Sequence, residues 1–207
     1  MTQTKKTVVG VVAVQGAFAE HSHVMHELGC EVVEIRQPSH LQEFDALILP
    51  GGESTAQRKL LHDLGLFEPL RQQIEGGTPV LATCAGMILL AQEVREGQGS
   101  GVPARHAQFV SEYPTFATMP VTVERNAYGR QLGSFKTVTD FAGLGKVEAT
   151  FIRAPYAAQV GEGVKVLANV EGKDVAVRYR NMVALAFHPE LDGDVIHRWF
   201  LDEVVAH

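Results

Sequence analysis

The segment Pro79-Val80-Leu81-Ala82-Thr83-Cys84-Ala85-Gly86-Met87-Ile88-Leu89-Leu90-Ala91 decides the fold of this 207-residue chain. Its first half is a short apolar run of the kind that forms a strand buried on both faces of a parallel sheet. Its second half reads as an apolar helix, and Cys84 stands where the two meet. Ala82 and Gly86, two residues to either side, are both small, as a strand-turn-helix elbow requires when the backbone at its apex is strained and crowded. A helix opening directly after the thiol supplies N–H groups and a dipole that favour the thiolate, and the same donors can face an oxyanion.

The segments on either side extend this into an α/β pattern. Strands are expected at Val8–Val14, Glu31–Ile35 and Ala46–Leu49, with helices at Ala17–Leu28, at Ser54 or Thr55 to Leu61, and at Phe67–Ile74. Strand and helix in alternation imply right-handed crossovers and a parallel sheet. The last third reads as β-rich, with strands at Val121–Glu124, Ala149–Arg153, Val164–Ala168, Val175–Tyr179 and Val183–Phe187, turns at Gly172-Lys173 and Arg180-Asn181, and a closing helix from Val195 to Val205. The expected architecture is a single α/β domain over residues 1–207. It has a mostly parallel central sheet flanked by helices and an antiparallel C-terminal third, and Arg95 to Thr118 is read as an inserted surface loop.

Composition narrows the function. With 45% apolar residues the chain can build a substantial core, and a net charge of −6 without any Lys/Arg cluster argues against nucleic acid as a partner. Two cysteines are too few for a disulfide scaffold and fit a reducing compartment, so the cytoplasm is expected. Lys5-Lys6 followed by Val8–Val14 resembles a short secretory signal, but a buried first strand has the same pattern and is the reading adopted. No apolar run approaches the ~20 residues that span a bilayer.

Three groups carry chemistry. Cys84 is the candidate nucleophile. His188-Pro189-Glu190 follows the apolar run Val183–Phe187 and offers a base with a carboxylate two residues on to orient it, the arrangement that activates a thiol. Pro50-Gly51-Gly52-Glu53-Ser54-Thr55 is a Gly-rich turn after a strand. It lacks the Lys of a phosphate loop, and its adjacent glycines allow close backbone approach, so one of their N–H groups is expected to face the oxyanion. Because ligands bind outside the carboxyl ends of parallel strands, this loop and Cys84 are expected to share a crevice. Cys30 is read as a small core hydrophobe. His21, His23 and His26 do not fall on one helical face, so they are read as solvated helix surface and no metal site is expected.

Together these residues resemble the class I (triad) glutamine amidotransferases, and within them the glutaminase subunits of pyridoxal 5'-phosphate synthases. The elbow Thr83-Cys84-Ala85-Gly86 and Phe187-His188-Pro189-Glu190-Leu191 mark the wide class. The narrower likeness rests on Val14-Gln15-Gly16-Ala17 with Glu20-His21, Leu49-Pro50-Gly51-Gly52-Glu53-Ser54-Thr55, Glu124-Arg125-Asn126-Ala127-Tyr128-Gly129-Arg130-Gln131 and Phe151-Ile152-Arg153-Ala154-Pro155. It covers nearly the whole chain. The family usually carries Gly where this chain has Ala82, and the segment from Arg95 to about Thr118 is longer than the family pattern.

The resemblance implies a Cys84-His188-Glu190 triad that hydrolyses L-glutamine to glutamate and ammonia without a cofactor. It implies oxyanion donors at Ala85 and at Gly51 or Gly52, and glutamine held by Gly52, Glu53, Ser54, Arg125, Ile152 and Arg153. It implies a synthase partner in a large hetero-oligomer, docking near Gln15-Gly16 and combining the ammonia with ribose 5-phosphate and glyceraldehyde 3-phosphate to make pyridoxal 5'-phosphate. The competing reading is a stand-alone γ-glutamyl or cysteine hydrolase on the same fold.

Overall fold

In the computed structural model, residues 6–96, 112–125 and 134–207 are described. Four strands begin the fold: β1 (Val8–Val12), β2 (Glu31–Ile35), β3 (Ala46–Leu49) and β4 (Val80–Thr83). They are joined through helices α1 (Phe18–Glu27), α2 (Ser54–Asp63) and α3 (Phe67–Glu75), and the elbow at Cys84 leads into α4 (Ala85–Leu90). The chain continues as β5 (Ala91–Glu96), β6 (Met119–Arg125), β7 (Ser134–Phe141), β8 (Gly145–Ile152), β9 (Tyr156–Val160), β10 (Lys165–Val170), β11 (Lys173–Tyr179) and β12 (Met182–Leu185). Helix α5 (Val195–Phe200) follows and runs on into a wider π-helical turn at Leu201–Val205.

Among the described residues the main sheet runs β2-β1-β3-β4-β12-β11-β9-β6-β5, with β10 paired to β11. The first five strands are mutually parallel; β12 is the late strand that returns to lie beside β4, with Leu185 opposite Thr83. From β12 onward β11, β9 and β6 pair antiparallel, and β7 with β8 forms a separate two-stranded ribbon. The expected mostly parallel sheet with an antiparallel later part is therefore the observed architecture. Every residue of β3, β4 and β12 is buried, which is why these strands read as unbroken apolar runs.

Val8–Val12 is a sheet strand paired on both sides, as its apolar run suggests. Several boundaries differ from the sequence reading. The cap of α2 is Glu53, whose carboxylate accepts the N–H groups of Thr55 and Ala56, rather than Ser54 or Thr55. The β10–β11 turn is Glu171-Gly172, both at positive φ, one residue earlier than expected. The apolar helix after Cys84 ends at Leu90, and Ala91–Glu96 is strand.

Arg95 and Glu96 thus belong to β5 rather than to a loop. At the other end of the expected insertion, Phe116 is fully buried, stacks on Phe67 at 4.8 Å and donates its N–H to Leu89 O. The intervening 97–111 and the phrase 126–131 lie outside the described residues.

Candidate active site

The three central strands β3, β4 and β12 end side by side, and each leads straight into one of the chemical groups. Hydrogen bonding sets their relative heights: Cys84 N–H donates to Leu185 O at 2.7 Å, and Gly51 N–H donates to Thr83 Oγ1 at 2.9 Å. His188 N–H donates to Thr150 O on β8, and Thr150 is held by Asp192 through its own N–H and hydroxyl, each at 2.8 Å. The antiparallel ribbon therefore braces the loop that carries the histidine.

Cys84 has φ 48° and ψ −101°, a combination that costs a non-glycine residue on the order of 1–3 kcal/mol and persists only where the surroundings impose it. Gly86 shows part of that constraint: a Cβ there would collide with the carbonyl oxygen of Leu49, so α4 packs directly on the end of β3. Gly51 is held as tightly, since a Cβ on it would run into the His188 ring. Two glycines are thus required by close approach, one beneath the elbow and one beside the imidazole.

Cys84, His188 and Glu190 are all buried. His188 Nδ1 lies 2.6 Å from Glu190 Oε1, so the imidazole donates its Nδ1–H to the carboxylate and turns its other nitrogen to Cys84. Burial opposes charge on His188, but the Cys84 side chain and the Glu190 carboxylate outweigh it and push the imidazole up to about 10. The Cys84 thiol is also 3.8 Å from Ile152 O.

A cavity of about 400 Å³ opens over the thiol, lined by Gly52, Glu53, Ser54, Cys84, Ala85, Ile88, Arg125, Ile152, Arg153 and His188. It gathers most of the residues singled out in the sequence; Glu190 stands behind His188 outside it, and Gly51, Gln15 and Gly16 are not among its lining residues. Arg153 enters with φ 46°, a second strained position on the same rim. Ile88, on the apolar face of α4, was not anticipated.

Gly51 does not offer an oxyanion donor as expected, because its N–H is held by Thr83 and its carbonyl accepts Ala17 N–H at 3.0 Å. Glu53 is engaged inside the protein as well, with its N–H on Gln15 Oε1 and its carboxylate on the first turn of α2. Burial pushes its carboxyl up, but the Thr55 and Ala56 donors together with Arg125 hold it below the usual range. Arg125 is paired with Glu96 at 3.0 Å and lies 3.7 Å from Glu53, so it stands at the cavity wall between two carboxylates. Gln15 and Gly16 stand behind the Gly-rich turn, where Gln57 Nε2 donates to Gln15 O and Pro50 O.

His21 departs most from expectation. Rather than lying on a solvated helix face it is fully buried, with Nε2 3.1 Å from Thr83 Oγ1 and 3.3 Å from Glu190 Oε2, and Nδ1 2.8 Å from His197 Nε2. Thr83 entered the sequence reading only as part of the elbow phrase, and Thr150, His197 and Asp192 carried no signal beyond being polar residues near strand or helix ends.

The family model described as the SNO glutamine amidotransferase family matches residues 11–206. A pyridoxal 5'-phosphate synthase subunit PdxT from Desulfitobacterium hafniense strain Y51 is 56% identical over 198 residues, covering 95% of this chain and 92% of the relative. A protein of the same name from Methanocorpusculum labreanum is 51% identical over 200 residues, 96% of this chain and 98% of that protein. A crystal structure of a glutamine amidotransferase superposes with a TM-score of 0.83 at 40% identity, covering 96% of this chain and 99% of the other.

Proposed function

The chain belongs to the SNO glutamine amidotransferase family, and from that premise we propose that it is the glutaminase subunit of a pyridoxal 5'-phosphate synthase, with Cys84 as nucleophile. The observation that carries the reading is a cavity of a size to take an amino acid with Cys84 and His188 on its wall and Glu190 bonded to the far side of the imidazole.

L-Glutamine enters with its side-chain carboxamide over Cys84. The sulfur attacks the carboxamide carbon as His188 takes up and holds the thiol proton, a division that suits an imidazole stabilised as a cation by Glu190. The negative charge that develops on oxygen is met by the N–H of Ala85, at the start of α4, and by that of Gly52, since Gly51 is committed to Thr83. The imidazolium then gives its proton to the departing nitrogen, ammonia leaves, and a γ-glutamyl thioester remains on Cys84. Water activated by His188 hydrolyses the thioester to glutamate and regenerates the thiol.

Gly52, Ser54, Ile152 and Arg153 form the walls against which the α-amino and α-carboxylate groups are held. Arg125 and Glu53 act as a charged pair at the mouth. The ammonia passes to a synthase subunit, which docks on the side of Gln15-Gly16 and links partner contact to the loop at Gly51-Gly52 through Gln15 and Gln57.

The test is glutamate release from L-glutamine by the chain alone and with a pyridoxal 5'-phosphate synthase subunit. Turnover is expected to depend on the partner and to fall at least about 10⁴-fold in Cys84→Ala. Equal turnover by the alanine variant would overturn the assignment.

A further inference from the structure

Behind the triad lies a run of buried polar atoms in which the roles of His21 and His197 are unassigned above. It comprises His21 on α1, Thr83 at the end of β4, Glu190 after β12 and His197 on α5, and all four residues are buried. Glu190 Oε1 is taken by His188, whereas Oε2 makes no hydrogen bond of full geometry among the described residues. The polar atom brought up to it is His21 Nε2, 3.3 Å away.

The tautomers follow from counting what each would strand. His197 Nδ1 is also buried without a partner among the described residues. If His21 carried its proton on Nδ1, His197 would carry one on the isolated Nδ1, and the Glu190 carboxylate would face a ring lone pair. That leaves an orphaned donor and an unmet anion, the two costliest kinds of buried polar group. With the proton on Nε2 of both rings, His197 donates to His21, and the His21 N–H is shared between Thr83 Oγ1 at 3.1 Å and Glu190 Oε2 at 3.3 Å, so the carboxylate faces a donor and no ring N–H is stranded. Burial keeps both imidazoles neutral, so each has a single proton to place.

We propose that His21 is a positioning residue for glutamine hydrolysis: its Nε2–H, aimed by His197, pins the free oxygen of Glu190 and so fixes the carboxylate plane that orients His188. The torsion that turns a glutamate carboxylate is broad, so one bonded oxygen alone does not fix that plane. The same Nε2 lies within hydrogen-bond distance of Thr83 Oγ1, which holds Gly51 N–H. One buried ring therefore braces both the carboxylate and the Gly-rich loop. This rests on the triad reading given under Proposed function.

The experiment compares His21→Gln, which retains an N–H donor near the position of Nε2, with His21→Met, which fills similar space without one. Both are assayed for glutamate release in complex with the synthase subunit, alongside wild type and Cys84→Ala. His21→Met is expected to lower kcat about 10- to 100-fold, the scale of a misplaced or lost charged hydrogen bond, with KM within about twofold of wild type. His21→Gln is expected to recover kcat to within about fivefold. Equal kcat in the two variants, whether at the wild-type level or reduced together, overturns the proposal.

Should His21→Met fail to fold by circular dichroism, His197→Leu gives the same reading, because it releases the His21 tautomer without touching the triad. A fall in kcat at constant KM supports the proposal and an unchanged kcat overturns it. Absence of glutamate release by the wild-type complex would instead sink the glutaminase reading itself, so the two failures are distinguishable.

Discussion

The parallel and antiparallel halves of this molecule treat polar groups in opposite ways. At the ends of β3, β4 and β12 the polar groups are buried and bonded to one another behind a cavity that Cys84 and His188 line: these two, Glu190, Thr83 and His21 lie within a few hydrogen bonds of each other. In the β7–β8 ribbon most polar side chains alternate with buried ones and face water, and the ion pair between Lys136 and Glu148 is half exposed. The ribbon contributes one half-buried anchor, Thr150, which Asp192 holds, and one rim, Ile152-Arg153. Chemistry is concentrated where strands run parallel and end together; support comes from where they return antiparallel.

The contrast breaks hardest at Gly86. Replacing it with alanine drives a Cβ into Leu49 O at the junction of β3 and α4, with no flexible side chain to yield. A loss of about 3 kcal/mol or more is expected in urea denaturation, with activity falling in parallel. Loss of activity at full stability would mean that the elbow is looser than its packing indicates.

The buried histidines set the next effect, through pH. Burial lowers His197 to about 4 and His21 well below its ordinary value of 6.5, so between pH 6.5 and 4 the unfolded chain binds more protons than the folded one. Stability is therefore expected to fall as the pH drops through that window, by on the order of 3 kcal/mol from His197 alone. His188 runs the other way: its contribution is complete below 6.5 and is lost as the pH rises through about 10. Urea midpoints from pH 7 to 4 should show a shallower acid slope in His197→Phe than in wild type, and equal slopes would contradict the buried neutral pair.

The smallest effect is expected on the bracing side. Asp192→Ala removes both hydrogen bonds to Thr150 and the 3.1 Å contact with Lys136. About 1–2 kcal/mol of stability and a several-fold fall in kcat are expected, because the loop carrying His188 loses an anchor rather than a reacting group. A loss as large as that of Cys84→Ala would place Asp192 inside the chemistry and erase the distinction between the halves.

Much of the parallel half was legible in sequence because burial on both faces leaves an uninterrupted apolar run, as in Val80–Thr83 and Ala46–Leu49. The cysteine, the His-Pro-Glu turn and the Gly-rich loop stand at the ends of such runs, so the topology alone brings them together. The strand Ser134–Phe141 was missed because one side of its ribbon is wet and its polar residues mask the alternation. His21 was misread for a related reason. Within α1 its spacing from His23 and His26 looks like surface, and only the placement of His197 and Glu190, 176 and 169 positions later in the chain, makes it interior. The commitment of Gly51 N–H to Thr83 is equally invisible in one dimension, since it depends on two strand ends lying at the same height.

The proposed role of Cys84 as the nucleophile toward glutamine follows from the convergence of three parallel strand ends. It is tested most directly by acid-quenching the working complex with L-glutamine and mapping the mass of the peptide that carries Cys84. The account predicts a transient gain of one γ-glutamyl group on that peptide, labile to hydroxylamine and absent in Cys84→Ala. Steady glutamate release with no such adduct at any quench time, or an adduct on a peptide lacking Cys84, would contradict it.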